Sequence, residues 1–144
     1  MWRLFRDGDP AGLALFERHY SARQYKDGRT RRLFMGPGEK MVLLTPDKDA
    51  LLARRRCKYP SLDGQSGACC SVFRNESRHR SSDLIRAAMP DAWPRWPGER
   101  LYTYVNAAKV RSMNPVCCFK SAGWRRCGVT KGGLIVLEML PPFR

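Results

Sequence analysis

Histidine is nearly absent from this chain, which holds only His19 and His79. That scarcity removes the usual routes to a histidine-ligated metal centre. Cysteines stand at 57, 69, 70, 117, 118 and 127, and no two are spaced C-x-x-C. A structural zinc site therefore has little support, and the expectation is buried, reduced thiols acting as small apolar side chains. No apolar run approaches the roughly 18 residues that a membrane-spanning helix needs, so no membrane partner is expected. The opening MWRLFRDGDP has no apolar core before Asp7, which predicts a cytoplasmic protein. Acidic residues are scarce as well, 13 against 27 Lys plus Arg, for a net charge of +14.

What is present points to a folded, basic domain. An apolar content of 43% over 144 residues suits one domain with one core, residues 1–144, rather than a disordered chain. Much of the positive charge is arginine in clusters: Arg29, Arg31 and Arg32; Arg54, Arg55 and Arg56; Arg74, Arg78 and Arg80; Arg125 and Arg126. The planar guanidinium matches phosphate oxygens, and a field of this size attracts polyanions, either nucleic acid or a phosphorylated cofactor. A solvated basic surface with no fixed ligand is the plainer alternative.

Local patterns give the order of elements. Asp9-Pro10 starts a helix, and Leu13, Phe16 and Tyr20 recur at helical spacing, predicting a helix over about 10–23. KMVLLT reads as an apolar strand, PDKD as a turn, and ALLARRRCKY as the hairpin partner, with one face wet because of its three arginines. ACCSVFRNE is a further strand, ending in charge. SRHRSSDLIRAAMPDAW reads as a helix capped by Ser81 or Ser82, with Leu84, Ile85 and Ala88 on its apolar face and Pro90 limiting its length. Trp93 and Trp96 flank Pro94 in a turn, where they cover a sheet edge or stack on a base. RLYTYVN is a strand, NPVCCFKSAGW a short helix that ends at Gly123, and RRCGVT with LIVLEML a closing hairpin. Tight turns imply antiparallel pairing among the early strands. The stretch from Ala68 to Asn106 is long enough for a parallel crossover. The expected fold is a mixed α/β (α+β) domain, a mostly antiparallel sheet with helices on both faces.

This order of elements resembles the GNAT family of acyl-CoA-dependent N-acyltransferases. The likeness rests first on a last helix that ends in Gly123-Trp124 before a closing hairpin. Cys117, Cys118, Ser121 and Ala122 are then small residues that leave a slot beside the sheet for the thioester arm of the cofactor. It rests second on ACCSVFRNESRHRSSDLIRAA, where the family has a strand, a loop of backbone amides and a helix start that bind a pyrophosphate. Unpaired N–H groups and the helix dipole favour an anion there on general grounds. The family pattern Q/R-x-x-G-x-G/A is met here by Glu76, His79 and Ser81, with no glycine in the loop. The resemblance assigns to acetyl-CoA or another acyl-CoA the strand residues Cys70, Val72 and Phe73, and the loop residues Arg74, Asn75, Arg78 and Arg80. It adds Ser81 and Ser82 at the helix start, and Asn114. ERHYSARQY is also similar to the His-Tyr-Ser segment of the phage Mom-like DNA-modification branch, which implies a DNA partner.

Acyl transfer to an amine needs a polarised thioester carbonyl, a deprotonated amine and a proton for the leaving thiolate. The resemblance puts the first with a backbone N–H between Cys70 and Phe73. The family's usual tyrosine acid falls at Phe119, which holds no transferable proton. Tyr104 and Asn106, at the exit of the preceding strand, are the nearest candidates, and His19 and Tyr20 the next. Glu76 reads as a solvated loop charge or a base, and Asp83 as a helix-dipole partner. Three functions remain open: an acyltransferase acting on a DNA base amine, a non-catalytic nucleic-acid-binding module, and an acetyltransferase for a protein lysine or small amine.

Overall fold

In KMVLLT every residue after Lys40 is apolar or Thr, so a strand here can be buried on both faces only if layers cover both. A computed structural model describes residues 2–18, 33–35, 38–56, 64–106 and 117–141. In it this segment is β2 (Glu39–Leu44), flanked by β1 (Arg3–Phe5) and β3 (Ala50–Arg56). Met41 and Leu43 enter one apolar cluster and Val42 and Leu44 another. The first cluster gathers Leu52, Cys70, Leu101 and Leu137 with helix residues Ile85, Ala88, Ala92 and Phe119. The second gathers Leu51, Ala53 and Val72 with Leu15 of the first helix.

The remaining elements are α1 (Pro10–Glu17), β4 (Ala68–Asn75), α2 (Ser81–Arg95), β5 (Leu101–Val105), α3 (Cys117–Ser121), β6 (Arg125–Val129) and β7 (Ile135–Met139). The fold is α+β: a seven-stranded mixed sheet, ordered β1-β2-β3-β4-β5-β7-β6, with three helices among the described residues. Every pairing is antiparallel except that of β4 with β5. Among the described residues no helix is long and apolar enough to cross a membrane.

Asp9 starts α1 as its sequence implies, accepting from the amides of Ala11 at 3.1 Å and Gly12 at 3.3 Å. The helix ends at Glu17 with Arg18 as its cap; residues 19–23, which the pattern also gave to it, lie outside the described residues. Several other expectations need correction. β1 carries no sequence signal of its own; its three residues are held by pairing with β2 and by Trp2, whose Nε1 donates to Leu84 O at 2.8 Å. Pro90 and Pro94 do not stop α2, which continues to Arg95. Each proline removes one helix hydrogen bond, a cost of about 3 kcal/mol. Leu84, Ile85, Ala88 and Ala92 are buried along the same helix, and a fully buried Leu or Ile returns about 1.5–3 kcal/mol. Trp96 is therefore not in a loop but caps this helix, buried, with Nε1 donating to Glu39 Oε2 at 2.9 Å. Nor is one face of the arginine run wet: Arg54 is 3% exposed, and Arg55 and Arg56 are half-buried.

Candidate functional site

The sheet changes character between β4 and β5. Their parallel register holds Ala68 to Leu101, Cys69 to Tyr102 and Cys70 to Thr103, and stops there. Beyond it β4 continues to Asn75 on β3 alone, and β5 continues to Val105 on β7 alone. The Thr103 hydroxyl donates to Cys70 O at 2.9 Å, closing the last paired level with a side chain. From Ser71 onward the side of β4 that would face β5 has no strand partner among the described residues, and the two strands part.

A bulge sits at the same level. Ala53 pairs with Val72 and Arg54 with Cys70, so Ser71 is an extra residue with no partner of its own. Residues two apart normally share a face, yet Cys70 belongs to the α2/α3 cluster and Val72 to the α1 cluster. The bulge has reversed the alternation. It turns Phe73 back toward α3, where its ring meets Phe119 edge-on at 6.2 Å. Phe119 in turn meets Trp124 at 5.1 Å, so an aromatic row runs from β4 past the opening to the start of β6. Trp124 is buried and its Nε1 has no acceptor among the described residues.

The loop after β4 is fastened by Asn75. Its Oδ1 accepts from Ser77 N at 2.9 Å and Ser77 Oγ at 2.6 Å, and its Nδ2 donates to His79 O at 2.8 Å and Ser81 Oγ at 3.0 Å. Ser77 Oγ accepts from His79 N at 3.1 Å. Ser81, thus engaged, does not cap α2, and neither does Ser82. The N-cap is Arg80, whose carbonyl accepts from Asp83 and Leu84 and whose side chain caps nothing. The first amides of α2 are left for an outside acceptor.

The three arginines of this loop separate. Arg74 lies on the α1 side, where its Nε donates to Glu76 Oε2 at 3.0 Å. The same carboxylate takes Nε and Nη2 of Arg18 at 2.7 and 2.8 Å, and these bonds hold Glu76 below the ordinary carboxylate range. Glu76 is thus neither a solvated charge nor a free base; it fastens α1 to the loop. Arg78 and Arg80 are exposed and form no ion pair among the described residues, so they, rather than Arg74, are available to an anion at the start of α2. Asp83 pairs with Arg86 at 3.2 Å, and Arg86 Nη2 donates to Ser121 O at 2.6 Å, joining α2 to α3.

α3 also departs from expectation. The residue it buries against the sheet is Phe119; Ala122 just after it is buried too, but Cys117 and Ser121 are exposed and Cys118 is half-buried. The expected burial of thiols holds for Cys69 and Cys70 and fails for Cys117 and Cys127, both exposed. Burial among apolar groups pushes the Cys70 thiol up to about 11, and its Sγ donates to Val72 O at 3.5 Å.

Tyr104 is half-buried, edge-on to Tyr102 at 5.7 Å. Leu101 and Val105 face the α2/α3 cluster, so alternation puts Tyr104 on the opposite face from Phe119. Asn106 follows β5, half-buried. His19, Tyr20 and Asn114 lie outside the described residues. The structure therefore brings Cys70, Phe73, Asn75, Arg78, Arg80, Ser81 and Ser82 to one side of the opening, and turns Val72 and Arg74 to the other face. Two buried groups of this region were not anticipated, Arg54 and Trp124. Nothing in the local sequence marks Arg54 as buried, whereas Trp124 was noticed only as half of a Gly-Trp pair. Among the described residues no three His, Cys, Asp or Glu side chains converge on a point where a metal ion would sit. Comparison with family models, with curated proteins and with solved structures finds no match to this chain.

Proposed function

We propose that the chain is a GNAT-like N-acyltransferase that takes an acyl-CoA donor and modifies an amine, with a base in DNA as the acceptor class its charge favours. The observation that carries this reading is the parting of β4 from β5 after Cys70 and Thr103, beside a helix start that lacks a side-chain cap. A thioester arm fits an opening between two strands, and a diphosphate fits unpaired amides with a helix dipole behind them. Exposed Arg78 and Arg80 add charge at that end. The strand order with its one parallel pair agrees with the family resemblance, as do apolar clusters on both faces of the sheet, one holding α2 and α3 and the other α1.

In the reaction the amine nitrogen attacks the thioester carbonyl carbon, a C–N bond forms and the C–S bond breaks. The proton lost by nitrogen ends on the departing thiolate, giving an amide and free CoA thiol. Phe119 supplies no proton, and Tyr104 faces the other side of the sheet. The role of acid then falls to solvent or to the Tyr20 and His19 segment. Acyl-CoA would be held by the amides of Ser81 and Ser82, the Arg78 and Arg80 side chains, and the unpaired edge of β4.

The test is a thermal-shift titration with acetyl-CoA and free CoA on the wild type and on Arg78→Ala/Arg80→Ala, followed by incubation with DNA, digestion to nucleosides and mass spectrometry. A shift that weakens in the double variant, with a nucleoside of increased mass, supports the reading. The second reading, a basic nucleic-acid-binding module without catalysis, is favoured by Phe119 and by the loop without glycine. It predicts no response to CoA and a DNA affinity that falls steeply with salt.

A further inference from the structure

On the α2 face of the sheet the fully buried polar side chains, Arg54 and Thr103, fall in one row. Arg54 on β3, Cys70 on β4 and Thr103 on β5 are register partners across three neighbouring strands, at the level where β4 and β5 stop pairing. Two of the three are satisfied within the chain: Thr103 donates to Cys70 O, and the Cys70 thiol to Val72 O. Arg54 is not. One Nη2–H reaches Ala88 O, its Nε–H has no acceptor, and among the described residues no carboxylate lies within ion-pair distance. Burial lowers its guanidinium to about 10, which still leaves it charged at neutral pH. The field of the Asp91 carboxylate on α2 reaches Arg54 only from beyond ion-pair distance, and a buried cation with no carboxylate in contact is unfavourable; an apolar side chain of similar volume would fill the place at lower cost. Arg100 and Arg56, with partial burial, have carboxylates in contact, Glu138 at 2.6 Å and Glu99 at 2.7 Å, whereas Arg55, half-buried, shares with Arg54 an Nε–H that has no acceptor among the described residues. Arg54 is the more deeply buried of the two, and it sits one strand away from the end of the β4–β5 pairing, a spacing of about 4.8 Å.

We propose that Arg54 selects the donor's acyl group, and that this group is short and ends in a carboxylate. The inference rests on the acyl-CoA reading above and deepens it by naming the donor class. The carboxylate supplies the contact counter-charge that no described residue places against Arg54, and α2 over the site keeps water from competing for it. Transfer proceeds as for any thioester, C–N forming and C–S breaking, with the distal carboxylate unchanged. The product amide therefore carries a new negative charge.

The test compares free CoA, acetyl-CoA, malonyl-CoA and succinyl-CoA as thermal-shift ligands for the wild type, Arg54→Met and Arg54→Lys, each referred to its own unliganded melting temperature. The expected result is that a carboxylate-ended ester acts on the wild type at roughly 10-fold lower concentration than acetyl-CoA. Arg54→Met should lose that preference while its response to free CoA stays, and Arg54→Lys should keep part of it. Should Arg54→Met not fold, the comparison of esters on the wild type and Arg54→Lys decides. Equal response to acetyl-CoA and both carboxylate-ended esters, with free CoA still binding, overturns the role of Arg54 and leaves the acyl-CoA reading intact. No response to any CoA species overturns that reading and this inference with it.

Discussion

The two halves of the sheet are held together by different physics. The half built from β1 to β4 relies on apolar side chains on both faces: Met41, Leu43 and Leu52 on one, Val42, Leu44 and Leu51 on the other. The half built from β5, β7 and β6 has Leu101 and Leu137 on the α2/α3 face, but on the reverse face a buried carboxylate. Glu138 accepts from Arg100 Nε at 2.6 Å and Arg125 Nε at 2.7 Å, and Arg100 continues to Gln65 Oε1 at 2.7 Å and lies over the Tyr102 ring. The first half is specified by shape and burial, which tolerate local repacking. The second depends on a few directional bonds that fail together. Where the halves meet, three register pairs and one side-chain bond join β4 to β5 among the described residues, and beyond that level the two strands part.

The largest effect should come from inserting one Ala between Val72 and Phe73. A further residue in β4 would turn Phe73 and the β4 end to the wrong face, since one residue of slip exchanges the faces of a strand. The expected outcome is a chain without a cooperative melt in calorimetry, whereas deleting Ser71, which leaves Cys70 opposite Arg54 and Val72 opposite Ala53 as a regular ladder, should keep one; a sharp transition near that of the wild type in the insertion variant would contradict the importance given to the facing of Phe73. Gly67, at the paired end of the same seam, has φ +115°, and a Cβ there would stand 2.1 Å from Arg100 O. Gly67→Ala is expected to cost on the order of 2–4 kcal/mol in urea denaturation.

Leu51→Ala probes the apolar half. This side chain is fully buried, and its truncation should cost about 2–5 kcal/mol, read from the same urea curves. Glu138→Gln probes the polar half and should cost about 1–3 kcal/mol, because Arg100 is left partly buried without its counter-charge. The two substitutions differ more clearly in their pH dependence. Hydrogen bonding by Arg100 holds Glu138 below the ordinary value of 4.5. A carboxyl lowered in the folded state adds stability that is complete above its unfolded value and is lost as pH falls through the folded one. Acidification below about 4.5 should therefore destabilise the wild type and Leu51→Ala alike, and Glu138→Gln less, in melts recorded from pH 6 down to about pH 3. The smallest effect belongs to Glu76→Gln. Its carboxylate is lowered in the same direction by Arg18, but the Arg18 side chain is half exposed, and the loss should stay under about 1 kcal/mol. A cost as large as that of Glu138→Gln would show the α1 tie to be worth more than its exposure allows.

Much of this fold was legible from local pattern. Asp9-Pro10 marked the start of α1, KMVLLT marked β2, and the length between ACCSVFRNE and RLYTYVN marked a crossover long enough for parallel strands. Legibility failed where tertiary contact outweighs local preference. Pro90 and Pro94 argue against a helix, but the buried face of α2 overrides them. Three successive arginines suggest solvent, yet Arg54 reaches Ala88 under that helix. Of the candidate site, the loop residues from Asn75 to Ser82 were found by position. The division of labour among Arg74, Arg78 and Arg80 was not, because strand alternation after the bulge decides which way Arg74 points, while Arg78 and Arg80 stand on the loop that Asn75 fastens.

The sequence by itself determined the order of elements, the large positive charge and the places where helices and turns begin, since these follow from propensities and spacings within a few residues. Only the tertiary structure decided where β4 leaves β5, which way Phe73 turns, and which arginines meet a carboxylate. Those outcomes depend on partners far apart in the chain, Arg54 with Ala88 and Arg100 with Glu138, and on one unpaired residue at Ser71. Burial and pairing are properties of neighbours in space, and no local stretch of this chain contains them.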